Sequence, residues 1–262
     1  MQLELLNKYD EIKNLINILI NEHNCIGMKI STEDQGNCIE FIDFINNRIL
    51  RDILPLNIKI GGPEAKNDIR ECLRIGASGI IAPMIESPFG VKKYVTALRE
   101  LAGKDIMSQL LISINLESLN AYEKIDDILR SKETREIDQI VIGTSDLAKS
   151  VEKPIDDHKV VEMVRKMAKK SKKSGKSVRI GGIMSMAYHN PNPLNLLLEE
   201  TNADKINSAN ICFDAKKTRD LRSAYLQALN FEIKLNSYWV ALTNKKIKPF
   251  QKRISSLKKR II

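Results

Sequence analysis

Residues 110–118 read LLISINLES and residues 139–147 read QIVIGTSDL, with LNAYEKIDDILR (119–130) between them. Both flanking runs are rich in apolar, β-branched residues, and the intervening stretch carries apolar residues at helical spacing. The unit is therefore strand–helix–strand. Each strand ends on an acid: Glu117 closes the first and Asp146 follows the second. Carboxylates at the C-terminal ends of parallel strands lie where α/β barrels carry their chemistry.

The same alternation extends in both directions. An amphipathic helix over residues 1–20 precedes a strand CIGMKIS (25–31) and a helix QGNCIEFIDFINNRIL (35–50). Next come strand NIKIGG (57–62), a helix stopping at Gly76, strand SGIIAPMI (78–85) and a helix stopping at Gly103, with glycine as the C-terminal cap. After QIVIGTSDL follow a long helix ending in KKSKKS (169–174), a strand SVRIGGIMS (177–185) and a helix LNLLLEET (194–201). DKIN (204–207) and NICFD (210–214) are strands seven and eight, with very little between them, and residues 217–243 are helical. The expected fold is a TIM (β/α)8 barrel with an N-terminal helix and a C-terminal helical extension. It forms one domain over residues 1–243, followed by a basic tail over residues 244–262.

Bulk properties agree with one well-buried core, since 262 residues fall in the usual range of a single barrel. The N-terminus has acids early and lacks a signal-peptide pattern, and no apolar run reaches membrane-spanning length, so a cytoplasmic protein without membrane insertion is expected. Cys25, Cys38, Cys72 and Cys212 have no CxxC spacing, which argues against zinc and disulfides. His23, His158 and His189 form no motif, and only His189 lies just beyond a strand end. The net charge of +9 is local: residues 245–262 hold eight Lys or Arg and no acid. Such a tail can touch phosphates, but with Phe250 as its one aromatic it offers no stacking platform, so nucleic acid is not an expected partner. Solubility or subunit packing explains it as well.

Period two sorts the strand side chains into faces. Ser113, Asn115 and Glu117 share one, Lys29 and Ser31 another, and Lys59 pairs with Gly61, each opposite isoleucines. With helices over the apolar faces, the polar set looks into the barrel. Buried lysines need partners or depressed pKa values; Glu33, Glu86, Glu117 and Asp146 are the candidates. The pairs Gly61–Gly62 and Gly181–Gly182 lie at strand ends, where a missing side chain lets backbone approach a ligand or simply makes a turn. Two converging carboxylates suit a hard cation such as Mg²⁺ or Mn²⁺. Equally, Glu117 and Asp146 can serve as helix-start acids, and spacing alone favours that plainer reading.

Five segments change the balance. GMKISTEDQGN, NIKIGGPEAKNDI, GASGIIAPMIES, LLISINLESLNAYEKI and DQIVIGTSDLAKS resemble, in order, the strand-end motifs of the HpcH/HpaI aldolase and citrate lyase β-subunit family, across about residues 25–215. The resemblance implies a phosphoenolpyruvate/pyruvate-type TIM barrel in which Glu117 and Asp146 hold a divalent metal, a small 2-oxo acid or sugar-like acid binds, and its enolate is stabilised. It also implies a homo-oligomer, often with exchanged C-terminal helices, for which Tyr238–Trp239 is a candidate contact. Two positions depart from the family pattern. Lys59 stands where the family has an arginine, keeping charge but losing the planar fork. Ser31-Thr32-Glu33-Asp34 replaces an Asp-Gly-Glu-His segment, retaining only the Glu, so proton transfer falls to Asp34, Lys29, Glu86 or a metal-bound water.

The resulting assignment is a metal-dependent carbon–carbon lyase or aldolase. Glu117 and Asp146 are on the metal, Lys59, Lys29, Asp34 and Glu33 are catalytic, and Glu86, Gly61, Gly181 and Gly182 line the substrate. The alternatives are a Schiff-base lyase using Lys29 or Lys59 and a non-catalytic barrel whose basic tail binds a partner or RNA.

Overall fold

The structure, a computed structural model, describes residues 2–33, 38–243 and 248–261. Its centre is a closed barrel of eight strands in sequence order: β1 (Cys25–Ser31), β2 (Leu56–Lys59), β3 (Gly79–Ala82), β4 (Leu111–Leu116), β5 (Gln139–Gly143), β6 (Ser177–Gly181), β7 (Lys205–Ser208) and β8 (Ile211–Asp214). Strand composition explains the closure. Ile30, Ile58, Ile80, Ile114, Ile142, Ile180, Ile206 and Phe213 supply one wholly buried side chain per strand. On the opposite face, Lys29, Lys59, Ile81, Asn115, Val141, Arg179 and Asn207 look into the lumen. The isoleucines satisfy β propensity and form the layer on which the helices pack.

Strands β1 to β7 are mutually parallel, as expected. The eighth differs: β8 is antiparallel to both β7 and β1. The cause is the short connection noted in the sequence, for Ala209 and Asn210 alone join β7 to β8, and a parallel partner needs a crossover of about a dozen residues. Ala209 takes a positive φ of 46° to make the turn.

The helices, among them α6 (Ile125–Arg130), α8 (His158–Lys173) and α9 (Asn192–Thr201), follow their sequence signals. Helix α3 (Lys66–Ile75) stops at Gly76, which has φ 77° in the left-handed region. In α4 (Pro88–Met107), Gly103 breaks the regular path with φ 70°, as its place in the sequence suggests, but one further turn follows before the helix ends. Helix α7 (Thr144–Ser150) begins directly after β5. The N-terminal α1 (Gln2–Asn21) and the 23-residue α10 (Leu221–Thr243) pack together beside the barrel.

Tyr238 and Trp239 of α10 are buried within this chain, against Tyr9 of α1 and against Phe41 and Phe44 of α2 (Ile39–Phe44). The basic stretch after residue 243 is helical over α11 (Lys248–Lys258) and packs along α10. Phe250 and Phe41 form a T-shaped pair at 4.9 Å between centroids, and Leu257 is fully buried. Among the described residues, no helix is long and apolar enough to cross a membrane.

Candidate active site

A cavity of about 600 Å³ opens at the C-terminal ends of the parallel strands and reaches into the lumen. Glu117 and Asp146 both line it, from the ends of β4 and β5. Glu117 is 3% exposed, and both its oxygens are held. The backbone N–H of Met84 donates to Oε1 at 3.0 Å, and Asn115 Nδ2 donates to Oε2 at 2.9 Å. Met84 adopts φ 51° as it does so. Gly143 is the other half of this fit, because a β-carbon there would collide with the Glu117 carboxylate.

The next helix bears on the helix-start reading of Glu117. Helix α5 (Leu119–Glu123) is capped by Ser118, whose Oγ accepts from the Ala121 N–H at 3.2 Å. Capping therefore does not engage Glu117, and its carboxylate stays in the cavity wall. Asp146 is less committed. It sits in the first turn of α7, half-exposed, and accepts from Lys149 Nζ at 2.8 Å.

The rest of the lumen is strongly cationic. Lys29 and Lys59 line the cavity together with Arg179 from β6. Arg179 is 1% exposed, and its Nε and Nη1 have no hydrogen-bond partner among the described residues. Beside it on β7, burial and then the Arg179 charge push the Lys205 amine below its usual pKa. Asn115 Oδ1, Asn207 Oδ1 and Ser208 Oγ are likewise buried and unpaired in the described structure, although all three residues line the cavity. So many unpaired polar groups are unusual in a plain core and fit a site that receives a polar ligand.

Gly181 and Gly182 line the same cavity. Gly182 has φ 85°, and a β-carbon there would collide with Ser145. Other sequence-derived candidates lie elsewhere. Glu33 is exposed and borders a separate groove with Gly61, Asp68, Phe89 and Lys93. A β-carbon on Gly61 would come within 2.7 Å of the Glu33 carboxylate. Asp68 ties the neighbouring loops by accepting from the Gly61 N–H at 2.8 Å and the Thr32 hydroxyl at 2.6 Å. Glu86 accepts from the Ser118 hydroxyl and does not line the main cavity. His189 is exposed against Tyr188, also away from that cavity. Asp34 lies outside the described residues.

Three arginines of the cavity wall were missed. Arg179 was legible, since alternation in SVRIGG places it on the face of Gly181, as it places Lys29 and Lys59. Arg253 and Arg260, in and just beyond α11, line the cavity alongside Tyr225. Arg253 is held by Glu232, which is fully buried in α10; Arg253 Nη2 donates to its Oε2 at 2.6 Å. Glu232 Oε1 accepts from the Asn210 N–H at 3.1 Å, tying α11 to the β7–β8 turn.

A divalent cation fits the two carboxylates. Both face one cavity from adjacent strands, and a small hard cation is commonly bound by one or two carboxylates with water and substrate filling the remaining positions. Among the described residues no cluster of three or more His, Cys, Asp or Glu could hold a metal, so protein ligation would rest on this pair.

The sequence profile of the HpcH/HpaI aldolase/citrate lyase family matches residues 58–193, which include both carboxylates, Lys59 and Arg179. Similar folds occur in an HpcH/HpaI aldolase/citrate lyase family protein from Burkholderia cenocepacia J2315 (TM-score 0.57, 16% identity, covering 83% of this chain and 98% of that one). The citrate synthase SbnG (0.55, 18%, 71% and 86%) and macrophomate synthase (0.54, 13%, 72% and 80%) are also similar. No curated protein matches in sequence.

Proposed function

Because this chain belongs to the HpcH/HpaI aldolase/citrate lyase family, we propose that it is a carbon–carbon lyase or aldolase acting on a small 2-oxo acid or sugar-like acid, with Glu117 and Asp146 holding Mg²⁺ or Mn²⁺. The observation that carries this reading is the buried Glu117 carboxylate. It is oriented by Met84 and Asn115 and faces the same cavity as Asp146, Lys29 and Lys59. When bound, the ion would polarise the substrate carbonyl.

The chain's own residues supply the rest. Gly143 leaves room for Glu117, and Gly182 lets its backbone come close to Ser145 at the end of the neighbouring strand. Lys59 presents positive charge to the cavity, where it stabilises the oxygen that becomes negative as a carbon–carbon bond breaks or a proton leaves. Lys29, also in the cavity, would move that proton; Glu86, the other described candidate for that role, does not line this cavity.

Solvent-deuterium exchange into the methyl group of pyruvate, followed by NMR, tests the reading without knowledge of the aldehyde partner. Exchange that chelation abolishes and Mn²⁺ restores supports it; exchange unaffected by chelator removes the metal. Two lysines in one cavity favour a lysine imine as the second reading. Borohydride reduction with pyruvate in chelator would then fix a covalent adduct on Lys29 or Lys59.

A further inference from the structure

The proposed cation site accounts for the β4–β5 side of the cavity and leaves its other wall unexplained. That wall is built by Arg179 of β6, Asn207 and Ser208 of β7, and Arg253 and Arg260 from the C-terminal helical segment. Two of its arginines are more than nine-tenths buried: Arg179 is 1% and Arg253 6% exposed. Both carry guanidinium nitrogens without a partner among the described residues, namely Nε and Nη1 of Arg179 and Nε of Arg253. Burying a guanidinium is unfavourable unless its donors are satisfied. Glu232 compensates one edge of Arg253 and leaves Nε unused.

Nor is the position of α11 accidental. Phe250 and Leu257 seat it in the core, Tyr188 donates its hydroxyl to the Ile261 carbonyl at 3.0 Å, and Glu232 fastens Arg253 to the β7–β8 turn. The β7–β8 turn and the basic C-terminal segment thus meet at one wall.

We propose that this wall is an anion subsite supplied by the chain's own C-terminal helix, and that it selects substrates carrying a second carboxylate or phosphate in addition to the oxo-acid group. Arginine is suited to either anion because its planar donors pair with two oxygens at once. The substrate class rests on the lyase reading, but the subsite itself does not.

Calorimetric titration of the full-length protein with inorganic phosphate and with succinate, both in excess chelator, tests the subsite apart from any metal chemistry. Wild type binds at least one of them, and Arg260→Gln and Arg253→Lys each weaken that binding about tenfold, the order of one lost charge-assisted hydrogen bond. Arg260 is exposed, so its substitution leaves the fold intact. Lys259→Gln removes the same charge from a residue that borders a separate groove and does not line the cavity, and it leaves binding within about twofold. Tighter phosphate points to a phosphorylated substrate, and tighter succinate to a dicarboxylic oxo acid; both uphold the subsite. No binding by wild type overturns the proposal, as does equal weakening by Lys259→Gln and Arg260→Gln. Anion binding in chelator with no pyruvate exchange under any metal would keep the subsite while sinking the lyase reading.

Discussion

Gly143→Ala is the substitution that most sharply probes how the site is built. Gly143 has φ −87° and ψ 86°, so alanine introduces no left-handed strain, and its effect is steric. Its added methyl would overlap Oε2 and Cβ of Glu117 and approach Cδ. Either the strand end shifts or the carboxylate leaves. A forced shift of a packed strand costs about 1–3 kcal/mol. Displacing the carboxylate forfeits the Met84 N–H and Asn115 Nδ2 bonds, each worth about 1.5–3 kcal/mol for a charged acceptor. Loss of one such bond alone corresponds to at least about tenfold in affinity for a cation that needs Glu117 in place. Thermal melts and Mn²⁺ titration of the variant report the two outcomes separately. A fall in Tm of a few degrees, at about 2–4 °C per kcal/mol, a tenfold loss of Mn²⁺ affinity, or both is expected. Unchanged Tm together with unchanged affinity would refute the packing argument.

Other substitutions report on the rest of the design. Glu232→Leu leaves the buried Arg253 without its counter-charge and should lower stability by about 3–5 kcal/mol in urea melts. The double variant Glu232→Leu/Arg253→Met should recover most of that loss. At Gly182→Ala, φ 85° and the Ser145 contact both resist a side chain, so the deuterium-exchange rate should fall at least tenfold if the protein acts as proposed. Burial works to raise the Asp204 pKa, but the bond from Lys172 and the Val178 N–H outweigh it and hold the carboxyl below 3.8. A depressed carboxylate stabilises the fold above the unfolded value, and that contribution is lost as pH falls through the folded value. Asp204→Asn should therefore lower Tm at pH 6, with the difference from wild type shrinking below about pH 3.8.

Much of this architecture was legible because its strands obey a simple rule. Isoleucines at Ile30, Ile58, Ile114, Ile142 and Ile180 alternate with lumen residues, so faces and strand ends could be read by period two, whereas pairing Glu117 with Asp146 took the family resemblance. What escaped depends on contacts distant in sequence. The two-residue turn at Ala209 and Asn210 was visible, but its reversal of β8 follows from the geometry of pairing. Arg253 reads as one more charge in a basic tail until Glu232 draws it into the core. Glu33 matched a family position, yet its side chain is exposed beside Gly61 and a different groove, because the loop after β1 carries it off the lumen.

The central claim is that Glu117 and Asp146 make one cation site at the mouth of the barrel, and Mn²⁺ EPR tests it most directly. Wild type should bind Mn²⁺ specifically, the signal should change on adding pyruvate or oxaloacetate, and Glu117→Gln and Asp146→Asn, confirmed folded by circular dichroism, should each abolish binding. Wild-type protein that binds no Mn²⁺ even with the oxo acid present, or variants that bind as well as wild type, would contradict it.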